Sequence, residues 1–424
     1  MRFSSLGEWL TWQESLHFKA IDLGLDRCRE VGAQMGLLQP AFRVISIAGT
    51  NGKGSSAAML DRIYRDAGYR VGTYTSPHLV RYNERVLING AEASDASLCE
   101  AFARVDQARG DISLTYFEFG TLAAFHLFRE AGIQLAVLEV GLGGRLDAVN
   151  LLDADLALIC TIALEHIQWL GNTRELIGRE KAGIMRPGRP AVCSAAEVPA
   201  SIPAYAAEIG ARLYLLGRDY WIDRHAGHWD WRSRQRKLPA LPATGQLNNA
   251  LINNTAGVLM AVELMAGLLP VDWQALPASL ARVSVPGRFQ ICPGEVPVIL
   301  DVAHNPQSAG ALAQTLTADS CEGDTHVVIG MLDDKDHAGV LQALSMAVDH
   351  WYVVSLSQPR GTEGQALADL LAMQGNTGIA GIYPTVAAAL ASARQRARAG
   401  DRVVVTGSFL TVGAAMQILS SENR

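Results

Sequence analysis

The chain has 424 residues, 49% hydrophobic and 18% charged, with a net charge of −6. It is long enough for two or three cores and too apolar to be disordered. The acidic balance argues against a nucleic-acid partner, and no uncharged apolar run reaches the ~18 residues of a membrane span.

The predicted elements alternate from residue 42 onward. Residues 42–50, 69–75, 134–140 and 154–162 are apolar runs of strand length, with helical patterns over 53–67, 94–109 and 115–131 between them. Such alternation implies a mostly parallel sheet covered on both faces. Asn89-Gly90 predicts a local turn after Glu84–Ile88. Residues 219–243, rich in Trp, Arg and His, read as an exposed β excursion. Beyond Val285-Pro-Gly-Arg288 the pattern restarts, with strands at 296–302, 325–331, 351–356 and 401–407 and helices at 307–319, 338–349 and 385–399. The fold class is therefore α/β: an N-terminal P-loop-type domain with a mostly parallel sheet, 1–288, and a smaller Rossmann-like α/β domain, 289–424. The start of the chain, Met1–Trp9, has no apolar run of signal-peptide length. Six cysteines at 28, 99, 160, 193, 292 and 321 show no CxxC or zinc spacing. A reducing, cytoplasmic setting with free thiols is expected.

Chemistry concentrates at the predicted carboxyl ends of strands. Gly49-Thr-Asn51-Gly52-Lys53-Gly54-Ser55 joins a strand to a helix. A glycine-rich turn of that kind offers backbone N–H groups and a helix N-terminus to phosphate, and Lys53 adds a charge. Ile47 stands where the usual phosphate loop has its first glycine, so this is a shorter variant. Glu139 ends the run Leu135–Glu139, the layout that sets a carboxylate beside the Mg²⁺ of a phosphate loop. Ser76 and His166 end the neighbouring runs and complete a mostly oxygen donor set. Only five lysines (19, 53, 181, 237 and 335) occur against 31 arginines. A retained lysine points to chemistry that arginine cannot supply. Lys181, in Arg179-Glu-Lys-Ala-Gly-Ile184, has an amine able to take up CO₂ as a carbamate. Asp301, His304 and Ser408 occupy comparable strand ends in the second domain.

Ten segments in this order resemble the Mur ligase superfamily and, within it, the folate branch of bifunctional dihydrofolate synthase/folylpolyglutamate synthases. They are GTNGKGS (49–55), TSPHL (75–79), TYFEFGT (115–121), EVGLGGRLDAVN (139–150), EHIQWLG (165–171), REKAGI (179–184), PGRFQ (286–290), DVAHNP (301–306), GMLDDKD (330–336) and GSF (407–409). The resemblance implies an ATP-dependent ligase that joins L-glutamate to dihydropteroate and to tetrahydrofolates through an acyl phosphate, with closure of the two domains excluding water. It implies ATP contacts from Asn51, Gly52, Lys53, Gly54 and Ser55, and from Arg288 and Asp301. It implies a pair of Mg²⁺ ions on Ser76, Glu139 and His166, and a carbamylated Lys181. His304 and Ser408 match positions near the incoming glutamate. Asp22, Leu23, Gly24, Thr115, Tyr116, Phe117, Glu118, Arg145, Leu146 and Asp147 match the pterin site. The implied partners are small molecules alone, with no nucleic acid or membrane, and the expected state is a monomer.

The sequence departs from the family pattern at Glu165, where Asp often precedes the metal-binding His. Several asparagines in Gln246–Asn254 could meet the nucleotide, and Asn254 fits the helix that follows best. A cell-wall Mur ligase is disfavoured because only 48 residues precede Gly49, too few for the additional N-terminal domain of those enzymes. A monofunctional folylpolyglutamate synthase is the alternative, against which Asp22–Leu25 and Tyr116–Phe119 speak. The intact set of Lys53, Glu139, His166 and Lys181 opposes a non-catalytic nucleotide switch.

Overall fold

The computed structural model describes residues 2–242, 248–319 and 321–422; Gln246 and Leu247 of the asparagine-rich segment lie outside them. The chain divides into two compact units. The second comprises Leu79–Arg81, a short stretch ending at Ala250 and the chain from Ser284 onward, and the first contains the rest.

The first unit is built on β1 (Arg43–Ala48), β2 (Val71–Tyr74), β3 (Val86–Ile88), β4 (Ala91–Glu92), β5 (Leu135–Glu139), β6 (Leu156–Ile159), β7 (Pro190–Cys193) and β8 (Arg212–Leu215). They form one sheet in the order β4-β3-β2-β5-β1-β6-β7-β8. All pairs are parallel except those of β3 and β4. Every residue of β2, β5, β6 and β7 is buried, which is why these strands read as unbroken apolar runs. Asn89 and Gly90 join β3 to β4 with φ of 55° and 78°, the mirror-image turn that hairpins favour. The helices Lys53–Asp66, Asp95–Arg109 and Tyr116–Glu130 start where the sequence signals place them. The Ser94 and Thr115 side chains cap the second and third, and Glu118 closes a capping box on the third. The segment Leu6–Leu16, with buried positions 6, 9 and 13 at helical spacing, also forms a helix, whose Trp9 packs with Trp12, Phe102 and Phe119.

The segment read as an exposed excursion is partly core. Its described residues form a separate antiparallel sheet of β9 (Tyr220–Arg224), β10 (His228–Ser233) and β11 (Lys237–Pro242). Yet Tyr220, Trp229 and Trp231 are buried rather than exposed. Trp231 Nε1 donates to the carbonyl of Ala256 at 3.0 Å and its ring stacks on Trp273. One face of the hairpin is therefore core, and only the other presents the polar residues that dominate its composition. The helix carrying Ala256 runs Asn249–Met265, so Asn254 lies within it, not before it.

The second unit pairs β12 (Gln290–Cys292), β13 (Val298–Leu300), β14 (Thr325–Ile329), β15 (His350–Val354), β16 (Ile379–Tyr383) and β17 (Arg402–Thr406) in the order β12-β13-β17-β14-β15-β16. Only β12 runs antiparallel. Helices cover both faces. Pro306–Ala318, His337–Leu344 and Gly364–Met373 pack on one, Val386–Arg396 and Phe409–Glu422 on the other. This is the doubly wound layout read from the sequence.

Candidate active site

In the first unit the ends of β1, β2, β5 and β6 converge, because parallel neighbours terminate on one edge of the sheet. The loop after β1 is stitched to the chain beyond β6. Thr50 N–H donates to Thr161 O at 2.7 Å, Asn51 N–H to Thr161 Oγ1 at 3.3 Å, and Thr50 Oγ1 to Ala163 O at 3.1 Å. The turn then enters its helix through Gly52, whose φ of 90° is costly for any residue with a Cβ. A Cβ there would also collide with the Asn254 side-chain amide. Asn254 is buried and accepts from Ser194 Oγ at 3.3 Å. Asn254, 202 positions away in sequence, therefore shapes the phosphate loop from below.

Two lysine amines meet on one carbonyl. Lys53 Nζ donates to Gly49 O at 3.0 Å and to Thr50 O at 3.2 Å, and Lys181 Nζ donates to the same Gly49 O at 2.9 Å. Lys181 is 5% exposed, on the inner side of the helix Arg174–Ala182. Burial and then the charge of Lys53 press its amine down to about 7, against the opposing pull of Glu165, Asp147 and Cys160. Arg179, two positions earlier on the same helix, points outward instead, toward Glu208.

Glu139 ends β5 as a buried carboxylate. Its Oε1 lies 4.0 Å from Lys53 Nζ and its Oε2 accepts the Ser76 N–H at 3.2 Å. Gly54 leaves its Cβ direction facing Glu139 Oε2. His166 is half-buried and begins the short helix Ile167–Leu170 with φ of 51°, an uncommon conformation for a residue with a side chain. Carboxylate, hydroxyl and a single imidazole suit a hard divalent cation, so Ser76, Glu139 and His166 fit Mg²⁺ by donor chemistry.

The substrate-site residues fall into two groups. Asp147 is buried and accepts N–H bonds from Leu142 at 2.8 Å and Val149 at 2.9 Å. Burial still pushes its carboxyl up to about 6. Arg145 is exposed and pairs with Glu180 at 2.9 Å, and Leu146 is half-buried beside it. In the other group, Asp22 and Glu118 are joined by Arg27, which no local pattern singled out. Arg27 Nη1 meets Asp22 Oδ2 at 2.6 Å and Nη2 meets Glu118 Oε1 at 2.9 Å. Burial pushes the Asp22 carboxyl up, but Arg27, His17 and Lys19 together hold it below its ordinary value. Glu118 Oε2 accepts the Thr115 N–H at 2.8 Å, so its carboxylate both caps the helix and anchors Arg27. Leu23 and Gly24 lie in the non-helical stretch between, and Tyr116 and Phe117 are half-buried on the first turn. Phe117 packs against Gly141, where a Cβ would stand 2.7 Å from its ring. Arg85, also missed, lies over the Tyr82 and Tyr116 rings and donates from Nε to His78 Nδ1 at 2.9 Å. Burial and then Arg85 press His78 down to about 4.

In the second unit Asp301, just past β13, accepts the N–H of Phe289 at 2.8 Å and of Ala303 at 2.9 Å. Burial raises its carboxyl against the pull of Arg288. His304 Nδ1 donates to Val302 O at 2.8 Å, which makes Nε2 the acceptor nitrogen of the neutral ring. Phe409 lies beside both His304 and Arg288. Ser408 is buried and accepts the Thr411 N–H at 3.0 Å, so its hydroxyl caps the last helix.

A phosphate loop over paired lysines and a second doubly wound unit define the Mur-type ligase class. Residues 47–198 match the model of the Mur ligase middle domain, and 287–409 that of the Mur ligase glutamate ligase domain. The chain is 43% identical over 418 residues to the dihydrofolate synthase/folylpolyglutamate synthase of Escherichia coli K12, covering 99% of this chain and 96% of that one. It superposes on E. coli FolC in complex with DHPP and ADP with a TM-score of 0.94 at 43% identity, over 99% of both chains. It also superposes on the bifunctional Yersinia pestis enzyme complexed with AMPPNP and Mn ion, with a TM-score of 0.91 at 44% identity over 98% of both. The chain belongs to the dihydrofolate synthase/folylpolyglutamate synthase family, whose members are ligases. Among the described residues, no helix is long and apolar enough to cross a membrane.

Proposed function

We propose that this chain is an ATP-dependent amide ligase that adds L-glutamate to dihydropteroate, giving dihydrofolate, and to the glutamate tail of tetrahydrofolates. The observation that carries the reading is the phosphate loop with Lys53 at its floor. The Lys53 and Lys181 amines share the Gly49 carbonyl, and the buried Glu139 carboxylate stands 4.0 Å from Lys53. The Lys53 ammonium attracts a polyphosphate, and Glu139 stands where a divalent cation would join it. The γ-phosphoryl group passes to the substrate carboxylate and ADP leaves. The glutamate amine then attacks the acyl phosphate, loses a proton, and phosphate departs.

Residues 1–288 would bind ATP and the pterin substrate, and residues 289–424 would supply the glutamate-ligase half. Asn51 to Ser55 would cradle phosphates, and Asn254, Arg288 and Asp301 would meet the nucleotide. Ser76, Glu139 and His166 would hold Mg²⁺ as a pair of ions, which supply charge neutralisation on the phosphates when bound. Asp22 to Gly24, Thr115 to Glu118 and Arg145 to Asp147 would line the pterin site. His304 and Ser408 would lie near glutamate.

An amine pressed down to about 7 is largely neutral at slightly alkaline pH. It adds to CO₂, forming a C–N bond and releasing one proton, and becomes a carbamate anion. Lys181 would then contribute a negative group beside the loop. The enzyme is expected to act as a soluble, cytoplasmic monomer.

Phosphate release from ATP and L-glutamate tests the reading, with dihydropteroate or tetrahydrofolate as the second substrate. Turnover with both is expected. Turnover with tetrahydrofolate alone reduces the assignment to folylpolyglutamate synthase, and glutamate-dependent turnover with neither refutes it. A carbamate carbon resonance after labelled bicarbonate, lost in Lys181→Ala, tests the modification.

A further inference from the structure

The three-stranded sheet carries a cluster that the ligase reaction does not use. β9 and β10 are joined by Ala226-Gly227, with Gly227 at φ 78°, and the His225 N–H donates to the His228 carbonyl at 3.0 Å. Residues that flank a two-residue loop face each other across the strands. The register continues through Trp229↔Arg224 and Asp230↔Asp223. Since side chains alternate along a strand, His225, His228 and Asp230 share one face. That face is opposite the one that buries Trp229 and Trp231.

The geometry of the three groups is close to that of a chelate. The two imidazoles stack with centroids 4.7 Å apart and planes 21° apart. Their nitrogens and the Asp230 carboxylate each offer a ligand atom within 4.8 Å of the others, and His225 Nε2 is 3.8 Å from Asp230 Oδ2. Asp230 is 8% exposed and fixed beneath the rings by the Ala240 N–H, which reaches Oδ1 at 2.9 Å. Ligands on bonds of about 2.1 Å stand roughly 3 to 3.5 Å apart, so a rotamer adjustment of about 1 Å closes the set. The sheet beneath is anchored by Trp231, leaving only the rings to move. Lys237 Nζ already sits 2.9 Å from Asp230 Oδ2, a cation in the position a metal would take.

We propose that His225, His228 and Asp230 bind a divalent transition cation of borderline softness, of the Zn²⁺, Ni²⁺ or Co²⁺ class, with the remaining positions left to water. Two imidazoles exclude Mg²⁺ and Ca²⁺ as preferred occupants. Lys237 competes for the carboxylate, so it weakens the site and its removal strengthens it.

The test is Ni²⁺ titration by calorimetry of the full-length, tag-free enzyme in excess Mg²⁺, which occupies any hard oxygen site. One saturable site is expected. His225→Ala and His228→Ala should each weaken it at least about tenfold, while Lys237→Gln should tighten it several-fold. Ligase turnover in Mg²⁺ should be unchanged in all three, which also reports that the variants are folded. Three results would overturn the proposal: no saturable binding to the wild type, equal binding to wild type and the double histidine variant, or no tightening in Lys237→Gln.

Discussion

Replacing Lys181 by methionine should stabilise the protein at neutral pH while removing its activity. The Lys181 amine falls from its ordinary 10.5 to about 7 because burial, and then the charge of Lys53, disfavour the ammonium. At about 1.4 kcal/mol per unit, that displacement corresponds to about 5 kcal/mol of cost to the folded state. The sign follows from proton counts. Below pH ~7 both states carry the proton and the cost is present in full. Between ~7 and ~10.5 the unfolded chain binds more protons than the folded one, so stability rises with pH. Above ~10.5 neither state is charged and the cost is gone. Methionine keeps the apolar stem and removes the charge, but it forfeits the hydrogen bond to Gly49 O, worth about 1 to 3 kcal/mol. The net expectation is a gain of about 2 to 4 kcal/mol at pH 7 that shrinks steadily toward pH 10. Urea unfolding followed by tryptophan fluorescence in CO₂-depleted buffer reads this directly, since seven of the eight tryptophans lie in the first unit. Parallel stability–pH profiles for wild type and Lys181→Met, or a variant less stable at pH 7, would refute the reasoning. Adding bicarbonate should raise the stability of the wild type alone, because the carbamate replaces a penalised cation.

Gly52→Ala combines a φ of 90° with a collision at the Asn254 amide. It should weaken ADP binding by more than tenfold in calorimetry, and Asn254→Ala in the same chain should restore part of the loss. Asp147→Asn keeps the shape but supplies only one oxygen for the N–H groups of Leu142 and Val149; a loss of about 1 to 3 kcal/mol in urea unfolding is expected. Arg27→Met unpairs Asp22 from Glu118. It should raise the KM for dihydropteroate with little change in the KM for ATP in steady-state kinetics. Arg85→Met should move His78 upward from about 4 in a proton NMR titration, but only partway to 6.5, because burial is the larger cause.

Much of the fold was written locally. The apolar runs of β1, β2, β5 and β6 and the caps at Ser94, Thr115 and Asn305 are short-range signals that burial and hydrogen-bond demand enforce. The loop Gly49–Ser55 and the glutamate at the end of β5 were legible for the same reason, since strand ends and glycine turns are features of neighbouring residues. The scarcity of lysine singled out Lys181. Its burial against Gly49 O, 132 positions away, could not be read from spacing. Neither could the Arg27 bridge from Asp22 to Glu118, the Asn254 amide beneath Gly52, or the sidedness of β9–β11. Each depends on which segments the parallel crossovers bring together. The sequence by itself determined the elements, the phosphate loop and the family. Tertiary structure alone decided which charges are buried side by side, because desolvation and Coulomb energy depend on distances through space rather than along the chain.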